Sequence, residues 1–168
     1  GSGATFIADG GTHNFTGAMV AGFFGSGNSL VISNGGTVAN SPGYIGFANT
    51  ASNNNVLVTG ANSLWTNSSA LFVGYEGSGN SLVISNGGTV ANEFGNIGVF
   101  DTSFNNSALV TGANSLWTNS GDLYVGNSGS GNSLVISNGG TVANRAGFIG
   151  YSSSSSNNSV LVTDGGTW

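Results

Sequence analysis

The chain has 168 residues with 31 glycines, one proline and no cysteine, and one basic against six acidic side chains gives a net charge of −5. Nucleic acid is excluded as a partner because no basic surface is available to neutralise phosphates. A hydrophobic content of 38% indicates a buried core, while no apolar run reaches the roughly 18 residues of a membrane span and no signal peptide is recognisable.

Residues 1–28 read as a degenerate first coil of a repeat. The segment ADGGT at 8–12 echoes TDGGT at 163–167, with one residue missing from the interval that three repeats would give. His13 lies 52 residues before Trp65, so His13 is predicted to occupy a position equivalent to that tryptophan.

A 52-residue repeat governs the rest of the chain. The segment GSGNSLVISNGGTVAN begins at Gly25, Gly77 and Gly129. We predict one continuous segment over 1–168, in which the degenerate coil is followed by double-coil units at 29–80 and 81–132 and an incomplete unit at 133–168.

Each unit divides into two similar halves of 26 residues. In the first half LVIS, TVAN and YIGF are separated by Gly, Asn and Ser, and in the second half VLVT, SLWT and LFVG take their places. Short runs rich in β-branched and aromatic residues, without helical periodicity, predict strands. We therefore expect an all-β fold, a β-solenoid of about 26 residues and three short strands per coil.

Alternation along the strands predicts which side chains face the interior. One dry column is expected to contain Leu30, Ile32, Val56, Val58, Leu82, Ile84, Leu134 and Ile136. Asn34-Gly35-Gly36 and its copies are expected to form corners, because Gly adopts positive φ freely and Asn tolerates it. Asn residues in successive copies are expected to stack as amide ladders. The two predicted ladders are Asn34, Asn86 and Asn138, and Asn40, Asn92 and Asn144.

The tryptophans recur in every second coil, and two interpretations are open. If the column faces inward, each indole covers a small residue of the next coil, and the residues aligned with it are Ala39, Ala91 and Ala143. If it faces solvent, Trp65, Trp117 and Trp168 form a row about 9.6 Å apart that could stack on sugar rings. A threonine row through Thr37 is interrupted by Ser63, and the four tyrosines do not share one phase, so neither is expected to form a ladder.

Catalysis requires a cluster of reactive groups, and the sequence predicts none. The acids fall at mostly non-equivalent repeat positions, His13 is the only histidine and cysteine is absent. A zinc site or a Cys/His pair cannot be assembled from these residues, and the repeats lack the Asp of calcium-binding nonapeptides. We expect no enzyme activity, no metal and no cofactor.

The motifs NSLVISNGGTVAN and VTGANSLWTN resemble the Gly/Asn/Ser-rich repeats of passenger regions of bacterial type V autotransporters, and the similarity covers residues 25–168. This resemblance implies a right-handed parallel β-helix that is secreted to the cell surface as an adhesin or its stalk.

Three functional hypotheses follow. The first is a structural or adhesive segment of an extracellular β-helical fibre, which contacts neighbouring coils of a longer chain. The second is a module that binds a surface polysaccharide through the tryptophan column. The third is a filament subunit that associates end to end through unpaired coil edges.

Overall fold

The computed structural model describes residues 1–168 and contains only β-strands, turns and loops. The strands form three parallel sheets, of seven, six and six strands, which extend along the whole molecule. Each complete turn of the chain contributes one strand to each sheet, and we call this unit a coil; the last turn contributes only a strand of the first sheet. The predicted β-solenoid with three strands per coil is therefore confirmed.

The first sheet contains, in spatial order, β1 (Thr5–Asp9), β4 (Ser29–Ser33), β7 (Asn55–Thr59), β10 (Ser81–Ser85), β13 (Ser107–Thr111), β16 (Ser133–Ser137) and β19 (Ser159–Val162). The second sheet contains β2 (Thr12–Asn14), β5 (Thr37–Asn40), β8 (Leu64–Asn67), β11 (Thr89–Asn92), β14 (Leu116–Asn119) and β17 (Thr141–Ala143). The third sheet contains β3 (Met19–Ala21), β6 (Gly43–Ile45), β9 (Leu71–Val73), β12 (Gly95–Ile97), β15 (Leu123–Val125) and β18 (Gly147–Ile149).

Stacking of the coils pairs the hydrogen-bond donors and acceptors of the backbone. Parallel pairing joins every strand to the equivalent strands of the adjacent coils, as in the match of Leu30 with Val56 and of Val56 with Leu82. Because the hydrogen-bond partners lie in other coils, one coil has no internal ladder and depends on its neighbours.

The interior is a continuous apolar column of 23 clustered residues. The eight predicted inward side chains of the first sheet are all buried, with relative exposures of 0 or 1%. Alternation of buried and half-exposed residues along β4 confirms the inward prediction for Leu30 and Ile32. The register of His13 with Val38, and of Val38 with Trp65, also confirms the tryptophan-equivalent position of His13.

The Asn-Gly-Gly segments form sharp corners between the first and second sheets. Asn34 has a φ of 50° and Gly35 a φ of 75°, which is the left-handed region that only Gly and Asn enter at low cost. The other half of the repeat uses Gly60-Ala61-Asn62-Ser63 at this corner, one residue more, with Asn62 at a φ of 65°.

This longer corner changes the register expected from the sequence. Trp65 lies opposite Val38 and Val90, and Ala39 lies opposite Thr66. The expected alignment of Ala39 with Trp65 is therefore wrong by one residue, and Ala39 points away from the interior. The same shift places Leu64 opposite Thr37, so a leucine interrupts the threonine row where a serine was expected.

Candidate functional site

Of the two interpretations of the tryptophan column, the structure favours packing for Trp65 and Trp117, which point into the solenoid. Trp65 and Trp117 have no exposed surface. Trp65 Nε1 donates to Asn40 Oδ1 at 2.7 Å, and Trp117 Nε1 donates to Asn92 Oδ1 at 2.9 Å. A sugar ring cannot reach either indole, so the row of solvent-facing tryptophans is wrong and the packing interpretation applies to these two.

Trp168 makes the equivalent bond in the last coil, from Nε1 to Asn144 Oδ1 at 2.6 Å, and is 41% exposed. With Trp65 and Trp117 buried, Trp168 has no second exposed indole with which to form a glycan-stacking row.

Glycine, rather than alanine, is the small residue beneath each indole. A Cβ built on Gly43 would lie 2.9 Å from Trp65 Cζ2, and one built on Gly95 would lie 3.0 Å from Trp117 Cζ2. In the third sheet Gly43 pairs with Leu71 and Leu71 with Gly95. The large residues Trp65 and Leu71 of one coil are thus accommodated by glycines of the neighbouring coils.

An asparagine ladder does run along the molecule, but through residues that belong to neither predicted set. Its six members are Asn28, Asn54, Asn80, Asn106, Asn132 and Asn158. Each Oδ1 from Asn54 onward accepts both the backbone N–H and the side-chain Nδ2 of the preceding member, at 2.8–3.2 Å. Four of the six have no exposed surface.

Neither of the two predicted ladders forms, because the asparagines of each set bond to residues outside that set. Asn86 and Asn138 donate to the hydroxyls of Thr59 and Thr111, and Asn34 donates to Asp9. In the other set, the side-chain oxygens of Asn40, Asn92 and Asn144 accept the indole N–H of a tryptophan in the following coil. Asn40 and Asn92 also donate their Nδ2 to Asn67 and Asn119 of the following coil, so this set forms amide pairs between two coils and not a continuous ladder.

The outer face of the third sheet carries two columns of aromatic rings, which we call the aromatic strip. The first column contains Tyr44, Phe72, Tyr124 and Phe148, and the second contains Phe23, Phe47, Tyr75 and Tyr151. The four tyrosines are divided between the two columns and do not share one phase, as expected, but the sequence reasoning missed the phenylalanines that complete each column.

The rings of the aromatic strip pack in a herringbone pattern. Within a column they are stacked, as for Tyr44 and Phe72, whose centroids lie 5.0 Å apart at 17°. Phe47 and Tyr75 lie 5.2 Å apart at 9°. Between columns they meet edge to face, as for Tyr44 and Phe47 at 84°. Such offset and T-shaped pairs are the favourable aromatic geometries, so the strip stabilises the outer surface.

The strip is interrupted in the coil of β12. Asn96 takes the place of the aromatic residue in the first column, opposite Phe72 on one side and Tyr124 on the other. In the second column Val99 and, in the following coil, Asn127 take the corresponding places between Tyr75 and Tyr151. The aromatic contacts that begin at Phe23 end at Phe100 and resume at Tyr124.

Charged groups are few, and one ion pair is formed. Arg145 Nε and Nη2 donate to the two carboxylate oxygens of Asp122, each at 2.9 Å. The hydrogen bond from Arg145 lowers the pKa of Asp122, and the same bond raises the pKa of Arg145. Burial, followed by the charge of Asp122, raises the pKa of Tyr124, and burial followed by Tyr75 raises that of Tyr44.

The Asp122–Arg145 pair predicts a specific pH dependence of stability. Because the folded-state pKa of Asp122 is lowered, the pair stabilises the fold above the unfolded pKa of about 3.9 and loses this contribution as pH falls through the folded value. Arg145→Gln should therefore lower the Tm slightly at pH 7, and the difference from the native chain should disappear near pH 2 in thermal unfolding followed by circular dichroism.

Asp101→Asn is the control, because Asp101 is exposed and the ion pair found joins only Asp122 and Arg145. An equal loss of Tm for Arg145→Gln at both pH values would contradict the prediction.

No group of three or more His, Cys, Asp or Glu side chains is arranged to hold a metal ion. None of the elements is a helix that could cross a membrane. Comparison of the chain with protein-family models, curated proteins and solved structures finds no match.

Proposed function

We propose that the chain is a structural segment of a secreted or cell-surface bacterial fibre or adhesin stalk, with no catalytic role. The segment holds its two ends a fixed distance apart and bears load along its length. The observation that carries this proposal is the continuity of the first sheet, the apolar column and the asparagine ladder from one coil to the next.

Continuity matters because a rod is only as stiff as its weakest junction. Each junction between the six complete coils contains three strand pairings, a buried apolar contact and an amide bond of the ladder. The acidic side chains are scattered, and Asp122 is engaged by Arg145. This arrangement supports a mechanical role better than a chemical one.

Single-molecule force spectroscopy on the whole chain, held at its two termini, tests the mechanical part. A load-bearing solenoid should resist and then lengthen in steps of whole coils, about 90 Å of extended chain for each 26 residues. Lengthening without resolvable force peaks would contradict a load-bearing role.

Localisation needs a separate test. In the organism that makes the protein, antibodies against this segment should label intact cells or their secreted material. Labelling that appears only after the cells are lysed would contradict the surface assignment and leave the mechanical result unaffected.

A further inference from the structure

The outer face of the first sheet carries a continuous line of aliphatic side chains, which we call the aliphatic stripe. From β4 to β19, the middle outward position of each strand is Val or Leu, and strand register places these residues directly above one another. The six members of the stripe are Val31, Leu57, Val83, Leu109, Val135 and Leu161. We propose that two copies of the chain associate side by side, with their rods antiparallel, through this stripe.

This association goes beyond the structural role proposed above, which concerns a single rod, and does not rest on it. The stripe is accessible to a second copy, because its inner members are half-buried and Leu161 is 54% exposed. Asp9 is the only charged residue in the strands of the first sheet, and it lies in β1, outside the stripe. Two chains of net charge −5 therefore meet little repulsion when they approach through this face.

Small polar residues on both sides of the stripe are already paired within the face. Ser85 Oγ donates to Thr59 Oγ1 at 3.0 Å on one side. Ser29 Oγ donates to Asn55 Oδ1 at 2.8 Å on the other. Because these groups have partners in their own chain, a second copy can cover them at a lower cost than it could cover unpaired groups.

The alternation of Val and Leu makes the stripe complementary to itself in one orientation. If two copies face each other with antiparallel rods, the order of the members is reversed in the second copy. The facing pairs are then Val31 with Leu161, Leu57 with Val135, and Val83 with Leu109. Each leucine packs against a valine, whereas in the parallel two-fold arrangement every leucine would meet a leucine. The antiparallel arrangement closes as a dimer, the commonest assembly of identical chains.

The dimensions of the face predict a weak dimer. Six strands at about 4.8 Å, each with five residues of about 3.3 Å, give a face of about 29 Å by 17 Å. Pairing of two such faces would bury about 1,000 Å² in total, which is close to the lower limit for a specific interface. We therefore expect association at high concentration, with a Kd of about 100 μM.

Sedimentation equilibrium of the intact chain, from about 10 μM to about 1 mM, tests the proposal. A monomer at every concentration would overturn it. Leu57→Lys places a charge in the interface and should weaken the dimer by about tenfold or more. Leu116→Lys is the matched control, because Leu116 is half-buried on the outer face of the second sheet and the change in charge is the same. Equal affinities in the two variants, which an end-to-end association would give, would overturn the proposal.

A pair of opposite charges tests the antiparallel orientation. In Leu57→Lys/Val135→Glu, each introduced lysine faces the introduced glutamate of the second copy, so this variant should recover most of the affinity that Leu57→Lys loses. The two sites are three strands apart in one chain, about 14 Å, which is too far for an ion pair within the chain. Affinity no higher than that of Leu57→Lys would overturn the antiparallel pairing.

Discussion

Removal of residues 81–132 should leave a folded, cooperative solenoid that is shorter by two coils. The deletion joins Asn80 to Ser133, so β7 of the first sheet meets β16, and Trp65 meets Val142 instead of Val90. The asparagine ladder also remains intact, because Asn80 then bonds to Asn158. The interior pairings at the new junction already exist elsewhere in the molecule, for example in the pairing of β14 with β17.

Removal of residues 81–106 takes out half as much chain and should be more harmful. It joins Asn80 to Ser107 and brings Trp117 against Leu71, where Gly95 stood before. A single Cβ on Gly95 would already lie 3.0 Å from Trp117 Cζ2, so a leucine at that place cannot be accommodated without displacing the indole. Overpacking of this kind costs about 1–3 kcal/mol or more.

Thermal and urea unfolding of the two deletions decides between them. We expect the 52-residue deletion to be the more stable protein, although it lacks twice as many residues and each lost coil reduces the total stability. If the 26-residue deletion is as stable as the 52-residue one, the alternation of large and small interior residues does not govern the repeat.

The difference between the two coils of each repeat also explains which features can be predicted from the sequence. The period and the inward positions of the first sheet were predictable, because strands of that sheet repeat at a constant interval and alternate strictly. Leu30, Val56 and Leu82 lie in one line for this reason. The corner at Asn34 was predictable because positive φ restricts the residue type.

The other two sheets depart from a constant interval. The corner before β8 has one residue more than the corner before β5, and the connection before β9 is longer than that before β6. The loop after β9 is correspondingly shorter, so the overall period is preserved. A sequence shows the total length of a coil but does not show which turn holds the extra residue. The expected match of Ala39 with Trp65 was wrong on this account.

The alternating lengths of the connections also explain why the sequence analysis missed the aromatic strip. Tyr44 and Phe72 are 28 residues apart and Tyr124 and Phe148 are 24 apart, so neither pair fits a spacing of 26. The signal that could have revealed them is the glycine that follows each third-sheet strand by one residue. Gly46, Gly74, Gly98, Gly126 and Gly150 mark that register and all have positive φ.

The asparagine ladder gives the second large prediction, and Asn80→Ala is its simplest form. Asn80 Oδ1 accepts the backbone N–H of Asn54 at 2.9 Å and the Nδ2 of Asn54 at 3.0 Å. Both donors are buried, and alanine would leave both unpaired. At about 1–3 kcal/mol for each of the two unsatisfied donors, we expect a loss of about 2–6 kcal/mol in the free energy of unfolding.

The matched control is Asn49→Ala. Asn49 is exposed in the loop that precedes Asn54, so its removal should change the stability by less than about 0.5 kcal/mol. Urea unfolding and the amide exchange rate of Asn54 are the measurements. A similar loss for both variants, or unchanged exchange at Asn54 in Asn80→Ala, would show that the ladder does not hold adjacent coils together.

A second ladder variant separates hydrogen bonding from packing. Asn80→Asp has nearly the same shape, but its ionised carboxylate cannot donate to Asn106 Oδ1, which Asn80 Nδ2 contacts at 3.1 Å. Burial and the facing oxygen raise the pKa of the introduced carboxyl, since both disfavour its charged form. Its neutral form can donate, so this variant should be more stable at pH 4 than at pH 7, and stability should fall as pH rises through the raised pKa. An Asn80→Asp profile that parallels the native one would mean that shape, and not the amide hydrogen bond, is what the buried position requires.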